Sequence, residues 1–473
     1  MIQPREILAW TDGHLLGGTL KKCSGVFIDS RRPRVGGLFV ALRGERFDGH
    51  DFVGEAAAAG AEGAVIMASE AERVCSSLGQ DGFFVVAVAD TLAALHGLAH
   101  GHRGRFHGPM IGVTGSNGKT TTKEMIAACL GMQASVLATY RNLNNEIGVP
   151  LTLLGLEPGH QICVVEMATR GLGQITQLAS IVEPNLGVVT NVGPVHLATL
   201  GSLDNVARAK AELVTALPTS GTVILNADDS RVAAMQTLTK ARVVTFGTEK
   251  AANIRAEAIV QDERGVRFAL WINHQQAVSE VTVSLPGKHN VSNALAALAT
   301  SWVCGHDLEE AADALAQLRP APMRLEISRL PEDILLINDS YNASPLSMQA
   351  AIEVLADSTS QRRVAVLGDM LELGSQYEYY HHQVGRQAVA AGVDFLVCVG
   401  EAGRLIAAGA REAGLPLDAA LWYADALAAA AAVGHWLCRG DGVLVKASRG
   451  LQLEQVAAAV MATAQRLEGR GSW

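Results

Sequence analysis

Apolar residues in this chain gather into short unbroken runs, and the stretches between them have helical spacing. From Met110 the alternation is regular. Met110–Val113 is followed by a helical segment over Lys119–Cys129, then by the runs QICVVEM, NLGVVTNV, TVILNADD and VVTFG, with another helix near Leu203–Leu217. Near-continuous apolar strands separated by helices predict a parallel sheet covered on both faces. Between Ile254 and Leu285 the pattern changes to alternating strands with turn signals such as QDERGVRF, which predicts an antiparallel appendage. GKHNVSNALAALATSW then opens a helix.

Both flanks also read as α/β. GVFIDSR, GGLFVAL and FFVVAVAD predict strands, DFVGEAAAAGAEGAVIM a helix, a glycine turn and a strand, and Thr91–His102 a helix. The Gly- and Arg-rich GHRGRFHGP marks one boundary, and the paired prolines of LRPAPMR, Leu318–Arg324, mark another. Beyond it ILLINDS, RRVAVLGDM, FLVCVG and GVLVKAS alternate with helices. At 473 residues the chain exceeds one ordinary core. The expected fold class is α/β in three domains: a small α/β N-terminal domain (1–104), a central parallel sheet with its antiparallel appendage (105–318), and a C-terminal Rossmann-like α/β domain (319–473).

Composition narrows the function classes. Hydrophobic residues make up 49% and charged residues 18%, a globular rather than a disordered balance. A net charge of -9 without a long basic run argues against general nucleic-acid binding, which needs a basic surface to displace counterions. The seven cysteines are scattered and never form C-x-x-C, so reduced thiols are expected rather than a disulfide framework or zinc site. MIQPREILAW does not read as a signal peptide, no run is long enough for a membrane span, and DALAAAAAVGHWL reads as a soluble helix. The cytoplasm is the expected location.

The chemistry concentrates in VTGSNGKTTTKEM. A strand breaks into a glycine loop and then a helix with Lys119 at its mouth, an arrangement suited to phosphate. The general pattern G-x-x-x-x-G-K-[ST] places a glycine where this chain has Val113, so only Gly118-Lys119-Thr120 matches its end. The physical requirements remain: Gly115 and Gly118 allow positive φ, Lys119 can bridge outer phosphates, and the Thr120 hydroxyl can meet Mg²⁺.

In a parallel sheet, ligands bind beyond the carboxyl ends of the strands. Glu166 ends QICVVE there and offers a hard Mg²⁺ ligand, where a solvated loop acid is the plainer reading. His196 follows NLGVVTNV after a Gly-Pro turn, and a lone histidine of this kind is more often structural. Lys210 lies on a helix, where a lysine is by default a surface residue. YRNLNNEIGVPLT is dense in amides, including Asn142 and Asn145, which suit either a polar substrate or a turn-rich connector.

Taken together, these residues resemble the Mur ligase family, ATP-dependent amide-forming enzymes that build the peptidoglycan precursor. Thr114, Gly115, Ser116, Asn117, Gly118, Lys119 and Thr120 match the family's own phosphate loop, which accounts for the displaced glycine; Thr121 follows. FIDSRRPRVGGLFVALRGERFDGHDFVGEAAAAGA looks like the family's UDP-sugar-gripping domain. RNLNNEIGVPLTLL, NDSYNASPLSMQAAIEVL, VAVLGDMLELG and VKASRGLQLE resemble the member that joins D-alanyl-D-alanine to UDP-N-acetylmuramoyl-tripeptide, and the D-N-P-R of the ligase that adds the third residue is missing. Two departures stand out: EMATRGLGQI after Glu166, and NDSYNASP, where Asn338 and Ser344 replace the family's usual residues.

The resemblance implies roles residue by residue. ATP would be held by 114–121, by His289, Asn290 and Asn293, and from the third domain by Arg324 and Asp339. Magnesium, as two ions, would be held by Thr120, Glu166, His196 and Lys210, the last as a carbamate. Lys119, Lys210 and His196 would form the catalytic set. Ser30 and Arg31 would meet the uridine diphosphate end, and Asn142, Asn145, Tyr341 and Asn342 other parts of the substrates. It further implies an acyl-phosphate intermediate, a monomer, closure about LRPAPMR, and a C-terminal domain that binds the dipeptide and completes the ATP site. The alternatives are folylpolyglutamate synthetase, which RNLNNEIG and DSYNASP fit less well, and a P-loop switch, which needs no third domain carrying Arg324 and Asp339.

Overall fold

A computed structural model describes residues 1–78, 82–249, 251–262 and 264–468, organised around three sheets. In the first, Phe84–Val88, Gly63–Met67, Leu38–Val40 and Val26–Phe27 run parallel, and His14–Gly17 adds an antiparallel edge. Its inner strands are buried on both faces, which is why they read as continuous apolar runs. Asp90 caps the helix Thr91–Arg103, accepting from the amides of Leu92 and Ala93 at 2.7 and 3.0 Å, and this helix leads into the second sheet.

Among the described residues the central sheet has nine strands. Its parallel part runs Arg242–Gly247, Thr222–Asn226, Leu186–Val189, Met110–Thr114, Ile162–Glu166, Val136–Ala138. The expected appendage, Ile254–Asp262, Gly265–Ile272 and Gln275–Val283, is antiparallel within itself. It is continuous with the rest of the sheet, because Phe246 and Gly247 pair in parallel with Ile254 and Arg255. Helices Lys119–Gly131 and His289–Val303 bury Ile126, Leu130, Leu295 and Leu298 over one face. Helices Gln174–Val182 and Leu203–Ala216 cover the other. Met110–Thr114 lies between Leu186–Val189 and Ile162–Glu166. The strand order reverses at that point, so the crevice beyond its carboxyl end is where an α/β sheet takes its ligand.

In the third sheet Ile334–Asn338, Asp441–Lys446, Arg362–Gly368, Phe395–Val399 and Ala420–Tyr423 run parallel, and Glu326–Leu330 is an antiparallel edge. Separate apolar clusters fill its two faces. Helix Pro345–Ala356 starts from Ser344, whose side chain accepts from the Ser347 amide. In the linker from the central domain, Met323 and Leu325 hold left-handed φ values of 60° and 46° on either side of Arg324. Among the described residues no helix is long and apolar enough to cross a membrane.

Candidate active site

Local sequence shapes the phosphate loop. Gly115 has φ 152° and Gly118 φ 78°. A Cβ at Gly115 would stand 1.9 Å from Thr190 Oγ1, and one at Gly118 2.5 Å from Asn293 Oδ1, so neither position admits a side chain. No side chain caps the helix Lys119–Gly131, which leaves its opening amides to an anion. The neighbouring strand end pins the loop: Asn191 O and Oδ1 accept from the Ser116 and Asn117 amides, both at 2.9 Å, and Thr190 Oγ1 donates to Asn117 O at 2.6 Å. Lys119 Nζ donates to Gly115 O and Ser116 O, each at 2.9 Å, covering its own loop. Burial lowers its pKa from the ordinary lysine value, Glu166 opposes the shift and Arg324 adds to it.

Glu166 is 1% exposed. Its Oε1 accepts from Asn144 Nδ2 at 2.7 Å and Thr120 Oγ1 at 3.2 Å, while Oε2 is buried with no hydrogen-bond partner. A buried carboxylate oxygen without a donor is costly unless a cation meets it. With the Thr120 hydroxyl beside it, this donor set fits Mg²⁺, which takes one or two protein oxygens and fills the rest of its shell from phosphate and water. Among the described residues no three His, Cys, Asp or Glu side chains cluster as a ready-made cage.

His196 also lines the cleft and has φ 51°. Its Nδ1 meets the carboxylate of Glu372 from the C-terminal domain. Burial lowers its pKa, Glu372 opposes this, and Lys210 and Lys119 add to the lowering. Lys210 lies behind the cleft wall, 1% exposed, and makes no hydrogen bond or ion pair among the described residues. Burial, then the charge of Lys119, hold its pKa well below that of an ordinary lysine, against a smaller pull from Glu212.

The C-terminal domain closes the cleft, which encloses about 820 Å³. Arg324 Nη2 lies 3.5 Å from Thr120 Oγ1, with its guanidinium stacked 4.1 Å over the Tyr341 ring. Asp339 Oδ1 accepts from the Leu325 amide at 3.1 Å, and Oδ2 from Lys446 Nζ at 2.5 Å. Lys446 Nζ also donates to Asn342 O at 2.8 Å. At the mouth of helix His289–Val303, Asn293 Oδ1 accepts from Thr122 Oγ1 at 3.2 Å, and its Nδ2 donates to Asn290 Oδ1 at 3.0 Å.

The cleft thus gathers 116–121, Asn142, Asn145, Glu166, His196, His289, Asn290, Asn293, Arg324, Asp339, Tyr341 and Asn342. Thr114 stands behind it, donating to Met167 O at 2.9 Å, and Gly115 shapes the loop from beneath. Ser30 and Arg31 lie outside it: Ser30 Oγ donates to Glu55 Oε2 at 3.0 Å, and Arg31 pairs with Asp29 at 2.9 Å. Sequence reasoning passed over Asn144, Asn191, Arg170, Glu372 and Lys446. Lys446 had left a signal, a lysine closing the apolar run GVLV at the carboxyl end of a parallel strand.

Comparison with known proteins covers most of the chain. Residues 22–103 match the model of the Mur ligase family, catalytic domain, residues 113–301 the Mur ligase middle domain, and residues 323–449 the Mur ligase, glutamate ligase domain. The UDP-N-acetylmuramoyl-tripeptide--D-alanyl-D-alanine ligase of Bacillus subtilis is 36% identical over 91% of this chain and 92% of its own. A crystal structure of MurF from Acinetobacter baumannii superposes with a TM-score of 0.87 at 30% identity, over 98% of this chain and 99% of its own. MurF ligase from Thermotoga maritima in complex with ADP gives 0.80 at 27% identity, over 94% and 98%. On the matched domains, on that identity and on the shared three-sheet arrangement, this chain belongs to the Mur ligase family.

Proposed function

We propose that the chain is an ATP-dependent ligase that joins D-alanyl-D-alanine to UDP-N-acetylmuramoyl-tripeptide, releasing ADP and phosphate. The observation that carries this reading is the meeting of two domains at one phosphate loop, with Arg324 reaching Thr120 from across the cleft. A simple nucleotide switch has no need of that contact. We take the division of labour as UDP-sugar binding in 1–104, ATP binding in 105–318, and dipeptide binding in 319–473. The setting is a cytoplasmic monomer.

The chemistry asks for activation of a poor electrophile. A carboxylate does not react with an amine near neutral pH; a γ-phosphoryl group transferred to it from ATP gives an acyl phosphate, which does. The dipeptide amine then attacks, and the tetrahedral intermediate collapses with loss of phosphate. The loop amides and Lys119 receive the charge that spreads over the phosphoryl oxygens. Arg324, held against Tyr341, adds a second positive group from the opposite wall. Asp339, fixed by Lys446, is suited to a ribose hydroxyl, and Asn290 and Asn293 to the rest of the nucleotide. Ser30 and Arg31 are assigned to the uridine diphosphate end, and Asn142, Asn145, Tyr341 and Asn342 to the peptide ends. The enclosing domains keep water from the acyl phosphate.

Thr120 and Glu166 would hold Mg²⁺, with His196 and a carbamate on Lys210 completing a two-ion set. Bound there, the ions would neutralise charge on the phosphates. The reading of Lys210 rests on its environment: a buried, unpartnered amine with a lowered pKa is neutral often enough to take up CO₂, and the carbamate supplies an anionic oxygen.

Phosphate release across a panel of UDP-muramoyl peptides and dipeptides tests the proposal. Release should require both UDP-N-acetylmuramoyl-tripeptide and D-alanyl-D-alanine. Equal release without the dipeptide would overturn it.

A further inference from the structure

The loop leaving strand Arg362–Gly368 reaches over to the central domain, where Gly374 packs closely on Leu197 and Ala198 and Glu372 makes the polar contacts. This residue sits at φ 64°, in the left-handed region that side-chain-bearing residues rarely occupy and that persists where surrounding contacts enforce it. Three contacts from the central domain converge on it. Its carboxylate meets His196 Nδ1. Arg170 Nε stands 3.7 Å from the same carboxylate. Its carbonyl accepts from the Ala198 amide at 3.0 Å.

The polarity of the first contact has a consequence. A carboxylate oxygen only accepts, so Nδ1 of His196 carries the proton, and in the neutral ring Nε2 then keeps its lone pair. Carboxylates that bond the far nitrogen of a ligating histidine fix its tautomer and ring orientation. Here the histidine and its carboxylate lie on different domains, on either side of the linker around Arg324. The pair therefore forms only when the domains are docked.

We propose that Glu372 is a positioning residue that docks the C-terminal domain on segment 196–198 and holds the His196 ring for a cation at the phosphate loop, so that the cation site is complete only in the closed arrangement. This rests on the reading of the cleft as a Mg²⁺–nucleotide site. Arg170 offsets the carboxylate's charge from the same side, and its own carbonyl accepts from Thr199 Oγ1, which ties it to the docked segment.

The test uses the full chain with Mn²⁺ as the probe. Mn²⁺ affinity in the presence of ADP is read by electron paramagnetic resonance, and docking by hydrogen exchange at the Ala198 amide. Glu372→Ala should weaken Mn²⁺ binding about 10- to 100-fold and speed exchange at Ala198 by about 10-fold or more. ADP affinity without metal should stay within about 3-fold, which shows that the variant is folded. Glu372→Gln, whose amide oxygen still accepts from Nδ1, should restore both readouts to within about 3-fold of wild type. Wild-type Mn²⁺ affinity in Glu372→Ala would overturn the proposal, as would a Gln variant as weak as the Ala variant. If these readouts behave as expected but no dipeptide-dependent phosphate is released, the ligase reading falls and the positioning role stands.

Discussion

Ser344 Oγ donates to Asn117 Oδ1 at 2.8 Å, joining the cap of a C-terminal-domain helix to the phosphate loop of the central domain. Ser344 is one of the two positions in NDSYNASP that depart from the usual family residues. Here it does two jobs, since it also caps helix Pro345–Ala356. Ser344→Ala should lower stability by about 1 kcal/mol through the lost cap. It should also loosen the interdomain contact and reduce the turnover number. Urea unfolding and steady-state phosphate release check the two parts separately.

Lys119 bridges the carbonyls of its own loop at 2.9 Å and is poised to exchange them for phosphate oxygens. Lys119→Ala should cut ATP turnover by on the order of a hundredfold to a thousandfold. Binding of the UDP substrate, assigned to another domain, should be largely unchanged. Equal loss of both, measured by calorimetric titration and phosphate release, would mean that the nucleotide lies elsewhere.

Lys446 is 2% exposed and holds Asp339, so its removal leaves a largely buried carboxylate whose remaining hydrogen bond among the described residues comes from the Leu325 amide. Lys446→Met should destabilise the protein by about 3 kcal/mol, the low end for a broken buried pair because Asp339 also faces the cleft. Lys446→Met combined with Asp339→Asn should recover part of that loss. Denaturant unfolding of the two single variants and the double variant gives the coupling directly, and additivity would show that the pair is not coupled.

Lys210 gives a pH signature. Its folded-state pKa is depressed, so between that value and the ordinary 10.5 the unfolded chain binds more protons and stability rises with pH. The contribution is full above 10.5 and fades as pH falls toward the folded value. Protein stripped of CO₂ should therefore gain thermal stability from neutral pH upward, and added bicarbonate should flatten the profile. Lys210→Ala should reduce the slope, leaving the part that Lys119 contributes through its own lowered pKa, and acetate should partly restore its activity. A slope unchanged in Lys210→Ala would mean that Lys210 does not carry it.

Much of this was legible in the sequence because the buried parallel strands are continuous apolar runs and the phosphate loop is local in sequence. What escaped was either short, half-exposed or dependent on distant partners. Val136–Ala138 and Glu326–Leu330 are edge strands, half-buried along nearly all their length, and His14–Gly17 is exposed throughout, so none shows a clean period. The antiparallel strands looked like an appendage because the change in texture was visible, whereas the pairing of Phe246 with Ile254 that merges them into the sheet was not. Asn144 was indistinguishable from Asn142 and Asn145 in a loop full of amides; only the fold shows which of them donates to Glu166. Glu372 and His196 are far apart in sequence, and no local pattern relates an acid in one domain to an imidazole in another.

Arg324 sits within the linker itself, flanked by Met323 and Leu325 in their left-handed conformations. On the proposed function, the side chain that would meet the nucleotide is thus part of the linker, and no relay of intervening residues separates the two. A triphosphate that drew the guanidinium toward Thr120 would then apply torque within the linker, and nucleotide occupancy and interdomain angle would be mechanically one variable.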